Sequence, residues 1–115
     1  MTQHIVTETH DQDMRLISGI PPWVKMYFER LSAKTQKPIK DLFPNFSLFV
    51  YGGVNYAPYR GILEELVGKK VDSVELYPAS EGFIAFEDHP DKKGMLLQLD
   101  SGIFYEFIEA DKVFE

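Results

Sequence analysis

The sequence predicts an α/β domain in which a parallel strand–helix–strand unit is followed by a short antiparallel meander. In segments 22–34 and 58–68, apolar residues recur at spacings of three and four, which is typical of amphipathic helices. Apolar runs at 46–51 and 71–77 lie on either side of the second segment and are typical of strands. After Tyr77 the chain changes to short strand-like runs separated by turn-rich segments, which favours an antiparallel arrangement.

The composition fits one globular domain and excludes several classes of site. The chain has 115 residues, of which 44% are hydrophobic and 26% are charged. It has no cysteine, which excludes disulfides, thiolate metal sites and cysteine nucleophiles. The net charge of −6 works against binding to nucleic acid or to an anionic membrane. Since no apolar run approaches the ~20 residues of a membrane span, we expect a cytoplasmic protein.

The first part of the chain contains one clear helix. Residues 1–14 are mostly polar and are predicted to form a loose or edge segment, followed by a short apolar run at 15–17. Two prolines, Pro21 and Pro22, supply the fixed φ that favours a helix start, and the predicted helix covers 22–34. One further turn is expected at 39–43.

The central segments predict the parallel unit. Run 46–51 is apolar at successive positions, which is typical of an interior strand covered by helices on both sides. The helix that follows starts at Pro58 and stops at Gly68, and strand 71–77 comes next with Val74 and Leu76 facing inward. This order makes a right-handed parallel connection the default.

The last third predicts the meander. Three short runs, 83–87, 95–99 and 103–109, have strand-like composition and are separated by turn-rich segments. Neither an internal repeat nor a linker interrupts the chain, so residues 1–115 are treated as one domain.

Most titratable residues have an ordinary explanation. The three histidines, His4, His10 and His89, lack the spacing of a zinc-binding helix, and solvated loop positions explain them. On a helix the neighbouring carboxylates of Glu64 and Glu65 diverge, which argues against a shared acid–base site. The glycine-rich phosphate-loop and dinucleotide-binding motifs are absent from the sequence.

Two loops follow the carboxyl ends of the predicted parallel strands. One holds Gly52 and Gly53, and the other follows Tyr77 and contains Ser80 and Glu81. Ligands of open α/β sheets bind at this edge, so the two loops are expected to meet at one crevice. Glycine lets backbone approach a flat ring, tyrosine offers a stacking face, and hydroxyl and carboxylate oxygens suit phosphate and Mg²⁺. The alternative is that these are ordinary turn residues, since turns select glycine and serine for conformational reasons.

These segments resemble the auxin-responsive (Gretchen Hagen) acyl-acid amido synthetases, in particular their bacterial members. The similar segments occur in the same order over nearly the whole chain, beginning with Ser18-Gly19-Ile20-Pro21-Pro22-Trp23. The others are Leu42-Phe43-Pro44-Asn45, Tyr51-Gly52-Gly53, Tyr77-Pro78-Ala79-Ser80-Glu81-Gly82-Phe83 and Ser101-Gly102-Ile103-Phe104-Tyr105-Glu106-Phe107-Ile108. The resemblance implies membership of the adenylate-forming superfamily, which includes acyl-CoA synthetases and luciferases.

The resemblance also implies site residues and an activity. Such ligases join a carboxylic acid to ATP as an acyl adenylate, and the plant members pass the acyl group to the amine of an amino acid. By this similarity Tyr77 lies against adenine, and the backbone of Gly52 and Gly53 lines the adenine and acyl pocket. Ser80 and Glu81 are the implied catalytic pair, with Ser80 near the α-phosphate and Glu81 on Mg²⁺. Pro78 and Ala79 depart from the commonest form of the motif.

Several parts of the family pattern are missing. The sequence has neither a Ser-Ser-Gly-Thr type phosphate loop, nor a Tyr-Arg-x-Gly-Asp segment for the ribose, nor a C-terminal lid domain with its lysine. We therefore predict that residues 1–115 are the central part of the large N-terminal domain of such an enzyme. Its partners are then the acid, the amine acceptor and the remaining segments of the parent enzyme. The chain alone is expected not to catalyse the reaction, and a non-catalytic interaction module or a degenerate remnant is the alternative.

Overall fold

The computed structural model describes residues 2–113, which form one five-stranded sheet with helices packed on one of its faces. In chain order the elements are α1 (Thr2–Thr9), β1 (Leu16–Ser18), α2 (Pro21–Thr35), α3 (Ile39–Leu42), β2 (Leu48–Gly52), α4 (Ala57–Val67), β3 (Asp72–Ala79), β4 (Gly82–Phe86), β5 (Leu96–Leu97) and a 3₁₀ turn (Ala110–Lys112). The strands follow one another across the sheet in sequence order. The pairs β1–β2 and β2–β3 are parallel, whereas β3–β4 and β4–β5 are antiparallel. The predicted fold class is confirmed.

The two long helices start and stop as the sequence predicts. Helix α2 begins with its two prolines and ends before Gln36, which adopts a left-handed φ of 58°. Helix α4 has a proline in its first turn and ends before Gly68, whose φ is 89°. None of the helices within residues 2–113 has the length and apolar character needed to cross a bilayer.

The amino-terminal prediction was wrong, because residues 2–9 form a helix rather than a loose segment. The buried side chain of Val6 joins the core, and the hydroxyl of Thr9 bonds the hydroxyl of Tyr27 on α2. Nearby, Lys34 donates from Nζ to Thr7 Oγ1 at 2.9 Å. One buried apolar position gives too weak a periodicity to identify a helix, and tertiary packing on α2 supplies the remaining stabilisation.

The sheet is covered by helices on one face only, which corrects the prediction for β2. Phe49 and Tyr51 are buried in the same core as the helices, whereas Leu48 and Val50 on the opposite face are half-buried. Strand pairing places Val74 beside Val50 and therefore on the uncovered face, where Leu76 also lies. Val74 and Leu76 thus point away from the helices, and Ser73 and Glu75 point toward them.

The meander is shorter than predicted. Strand β4 is confirmed, β5 contains only two residues, and residues 103–109 form no strand. In that last run Phe104 is 84% exposed and Phe107 is 81% exposed, since no described strand pairs with the segment. The radius of gyration is 17.2 Å, compared with about 13 Å for a compact domain of this length. The described chain is therefore extended.

Candidate active site

A crevice of about 540 Å³ opens where β2 ends, beside residues 75–78 of β3. Gly52, the last residue of β2, pairs with Leu76 of β3, so Gly53, which follows β2, emerges beside Tyr77. The lining residues are Gly53, Val54, Asn55, Glu75, Leu76, Tyr77, Pro78 and Met95. The structure therefore brings the diglycine segment and the Tyr77-Pro78 segment to one site, at the sheet edge where ligands of α/β folds bind.

The loop between β2 and α4 forms one wall of the crevice. Gly53 has a φ of 83°, a conformation that glycine adopts without strain, and turns the chain out of the strand. The side chain of Asn55 accepts the backbone N–H of Ala57 at 3.2 Å and so fixes the start of α4. Beneath the loop the ring of Tyr56 stacks on Tyr51 with centroids 4.5 Å apart. These contacts hold the wall in place.

Ser80 and Glu81 do not line the crevice. Strand β3 continues past Tyr77 because it pairs with β4 as far as Ala79, which lies opposite Gly82. Ser80 and Glu81 form the exposed two-residue turn between these strands, roughly 10 Å along the chain from Tyr77. Tyr77 itself is 51% exposed, so its ring is open to a ligand. The individual roles of Tyr77, Ser80 and Glu81 stay predictions.

The crevice carries negative charge and lacks a basic lining residue. Glu75 is its charged lining residue. On the neighbouring strand, burial raises the pKa of Tyr51 to about 12, and the carboxylates of Glu87 and Glu75 add to that effect. The Tyr51 hydroxyl is therefore neutral at physiological pH, and the crevice favours an uncharged ring over a phosphate group.

Metal-binding side chains are not clustered in the described structure. Among residues 2–113, no group of three or more His, Asp or Glu side chains is placed to hold a metal ion. Glu81 is a lone exposed carboxylate at its turn. A single carboxylate can bind Mg²⁺ when phosphate oxygens and water supply the other ligands, and protein sites often hold Mg²⁺ in this way.

The sequence did not identify four residues that line the crevice, which are Val54, Asn55, Glu75 and Met95. Asn55 and Met95 lie in loops, and their types carry no distinctive chemical pattern. Glu75 alternates with Val74 and Leu76, which were predicted to face inward, and an alternating strand places it on the opposite face. The pairing of Glu75 with Tyr51 shows instead that it lies on the helix-covered face.

Comparison with known proteins relates the fold to one class of solved structure. Neither a family model nor a curated protein matches the sequence. The chain is similar in structure to 2-hydroxyisobutyryl-CoA ligase, in an open conformation in complex with 2-HIB-AMP and CoA, with a TM-score of 0.61 and 14% identity. The match covers 84% of this chain and 23% of the ligase chain, so this chain spans about a quarter of that enzyme's length. The likeness shows that the chain has the fold of a portion of an adenylate-forming ligase.

Proposed function

We propose that this chain forms the nucleotide-binding centre of an enzyme that adenylates a carboxylic acid with ATP and transfers the acyl group to an amine. The observation that carries the proposal is the crevice shared by Gly53, at the carboxyl end of β2, and Tyr77, near the end of β3. The similar fold of a CoA ligase solved with an acyl-AMP supports it. So does the resemblance of the crevice segments to the acyl-acid amido synthetases.

In this proposal the crevice holds adenine rather than the phosphates. The exposed ring of Tyr77 stacks on the base, and the backbone at Gly53 borders it. The phosphates then lie toward the hairpin turn, where the Ser80 hydroxyl donates to an α-phosphate oxygen. Mg²⁺ held by Glu81 would neutralise part of the phosphate charge in that position.

The proposed chemistry makes a poor acyl donor reactive. A carboxylate oxygen attacks the α-phosphorus of ATP and pyrophosphate leaves, which gives a mixed anhydride. The amine nitrogen then attacks the acyl carbon, loses a proton and displaces AMP. The contribution of this chain is to position the nucleotide and to place a hydrogen-bond donor at the developing charge.

We further propose that residues 1–115 are the central part of a larger catalytic domain. One face of the sheet carries half-buried Leu48, Val50, Val74 and Leu76 and has no helix over it within residues 2–113. The aromatic side chains of Phe104 and Phe107 are also exposed. Covering these apolar groups requires further protein, and the remaining segments of the parent enzyme would supply it.

The test is ATP–pyrophosphate exchange by the complete protein that contains this segment. We expect Glu81→Ala to abolish exchange, because it removes the proposed Mg²⁺ ligand. Glu65→Ala is the matched control, since Glu65 is an equally charged and exposed residue on α4, and it should leave exchange unchanged. If exchange survives Glu81→Ala, Glu81 is not the Mg²⁺ ligand.

A second candidate function is a non-catalytic interaction module, and the exposed aromatic segment favours it. Phe104, Phe107 and Ile108 together present apolar surface that a soluble domain seldom leaves uncovered. Light scattering and apolar-dye binding distinguish this candidate. A compact monomer that binds no dye would count against an interaction surface.

A further inference from the structure

Three side chains form a row across the sheet beside the crevice. Tyr51 of β2 pairs with Glu75 of β3, and Glu87, the residue after β4, donates its backbone N–H to the carbonyl of Glu75 at 2.9 Å. Glu87 Oε2 in turn accepts the backbone N–H of Glu75 at 2.9 Å. Directly paired residues on neighbouring strands share a face, so the two carboxylates and the tyrosine are adjacent.

The two carboxylates of this row lack a compensating cation. Glu75 and Glu87 are half-buried, and neither makes an ion pair within residues 2–113. Arg60 on α4 instead places its guanidinium carbon 4.8 Å from the ring centre of Tyr56. Like charges on directly opposed strand positions repel each other, so a cation that binds between the two carboxylates would relieve this repulsion.

The hydroxyl of Tyr51 is a third unused group. Tyr51 is 6% exposed and its ring stacks on Phe49, while the hydrogen bonds of the described residues include none from its hydroxyl. Among those residues, no fully buried side-chain polar atom lacks a hydrogen-bond partner. The hydroxyl of Tyr51 is therefore not fully enclosed, and the carboxylates of Glu87 and Glu75 lie close enough to help raise its pKa.

An open groove of about 840 Å³ leads along the sheet to this row. Its charged lining consists of four acidic and two basic side chains, which are Glu64, Asp72, Glu87, Asp88, Arg60 and Lys70. Glu87 lines the groove and Glu75 lines the crevice, so the row stands between the two. The excess of carboxylates favours a positively charged ligand.

We propose that the Tyr51–Glu75–Glu87 row binds the ammonium group of a small organic amine. An alkylammonium has three N–H donors and one positive charge, which match two carboxylates and one hydroxyl.

The row also lies close to the crevice. Glu75 precedes Tyr77 by two residues on β3, which is roughly 7 Å along the strand. The claim that this amine is the acyl acceptor rests on the proposed function. The claim that the row binds an ammonium group does not. The two claims are therefore separable by experiment.

The test uses n-butylammonium chloride, titrated into the 115-residue chain without nucleotide and followed by amide NMR shifts. We expect saturable shifts at Tyr51, Glu75 and Glu87, and none with the neutral analogue n-butanol. Each of Glu75→Gln and Glu87→Gln should weaken binding at least fivefold, and Tyr51→Phe twofold to threefold. Glu65→Gln, which makes the same charge change on the outer side of α4, should leave the Kd unchanged.

A second measurement needs no variant. The cation n-butyltrimethylammonium has the same charge but no N–H donors, and it should bind at least tenfold more weakly. Equal binding of both cations, or an equal effect of Glu65→Gln, would show nonspecific attraction to an acidic chain and overturn the proposal. Ammonium binding combined with an absence of pyrophosphate exchange in the complete protein would overturn the proposed function and leave this site standing.

Discussion

The backbone of Gly52 lies against the carbonyl group of Leu76 so closely that a β-carbon at position 52 would stand 2.5 Å from the Leu76 oxygen. Both groups belong to paired strands, so neither can move without opening the β2–β3 ladder. The glycine is therefore required for strand pairing at the edge where the crevice forms. Gly53 has a different requirement, since a β-carbon there would meet no atom within 4 Å and only its positive φ favours glycine.

Gly52→Ala should destabilise the fold by about 2 kcal/mol or more, because the new methyl group forces the two strands apart. Urea denaturation measured by circular dichroism checks the free energy of unfolding. The matched control is Gly61→Ala in α4, where a β-carbon meets no atom within 4 Å. That change should stabilise the protein by up to about 1 kcal/mol, since alanine has the higher helix propensity. Equal effects of the two substitutions would contradict the close approach.

The sequence predicted the order of the elements because strong local patterns coincide with the tertiary structure. The spacing of Tyr27, Phe28 and Leu31 gave α2, and their side chains are buried as that spacing requires. Gly68 marked the end of α4 for a conformational reason that does not depend on the remaining structure.

The faces of the sheet could not be predicted in the same way. A strand such as β2 has apolar residues on both faces if helices of the same segment cover both faces. It has the same pattern if another part of a larger protein covers one of the faces. The sequence also placed Gly53 and Tyr77 correctly at one edge, because the carboxyl ends of parallel strands meet there. It did not predict the row of Tyr51, Glu75 and Glu87, because these residues lie in three separate segments. They become neighbours only through the register in which the strands pair, which no local pattern specifies.

The stability of the chain should fall as the pH rises from about 10 to about 12. Burial raises the pKa of Tyr51 to about 12 in the folded chain, whereas the pKa of a tyrosine in an unfolded chain is about 10. The folded state then holds a proton that the unfolded state has lost, so the stabilisation is complete below pH 10 and disappears through pH 12. Burial also raises the pKa values of Tyr27 and Tyr56, which adds to the same trend.

The variant Tyr51→Phe isolates the contribution of the Tyr51 hydroxyl to this loss of stability at alkaline pH. We expect the variant to lose about 2 kcal/mol less than the parent chain between pH 9 and pH 12, because phenylalanine has no proton to release. At pH 7 the two proteins should differ little, since the Tyr51 hydroxyl makes no hydrogen bond within the described residues. Chemical denaturation at several pH values measures both quantities. If the free energy of unfolding changes equally with pH in the two proteins, the pKa of Tyr51 is not raised in the folded chain.

Replacing both Phe104 and Phe107 with serine should lower the fluorescence of a bound apolar dye without changing stability. These rings are 84% and 81% exposed, so their removal takes little buried area from the fold. The contrasting variant is Phe43→Ala, whose ring is fully buried and whose loss should destabilise the chain by about 3 to 5 kcal/mol. A large stability loss in the double serine variant would mean that the segment packs against the domain in solution.

The charge of the crevice predicts how the isolated chain binds adenosine and ATP. Since Glu75 lines the crevice without a basic neighbour, and the chain carries a net charge of −6, the phosphates of ATP should add nothing to the affinity when Mg²⁺ is absent. We expect adenosine to bind the isolated chain at least as tightly as ATP in saturation-transfer NMR. Tyr77→Phe should retain this binding because the stacking face remains, whereas Tyr77→Ala should weaken it at least threefold. Tighter binding of ATP than of adenosine without Mg²⁺ would show that the turn at Ser80 and Glu81 adds affinity for the phosphates by itself, and would contradict this prediction. An unchanged affinity in Tyr77→Ala would show that the base does not stack on the Tyr77 ring.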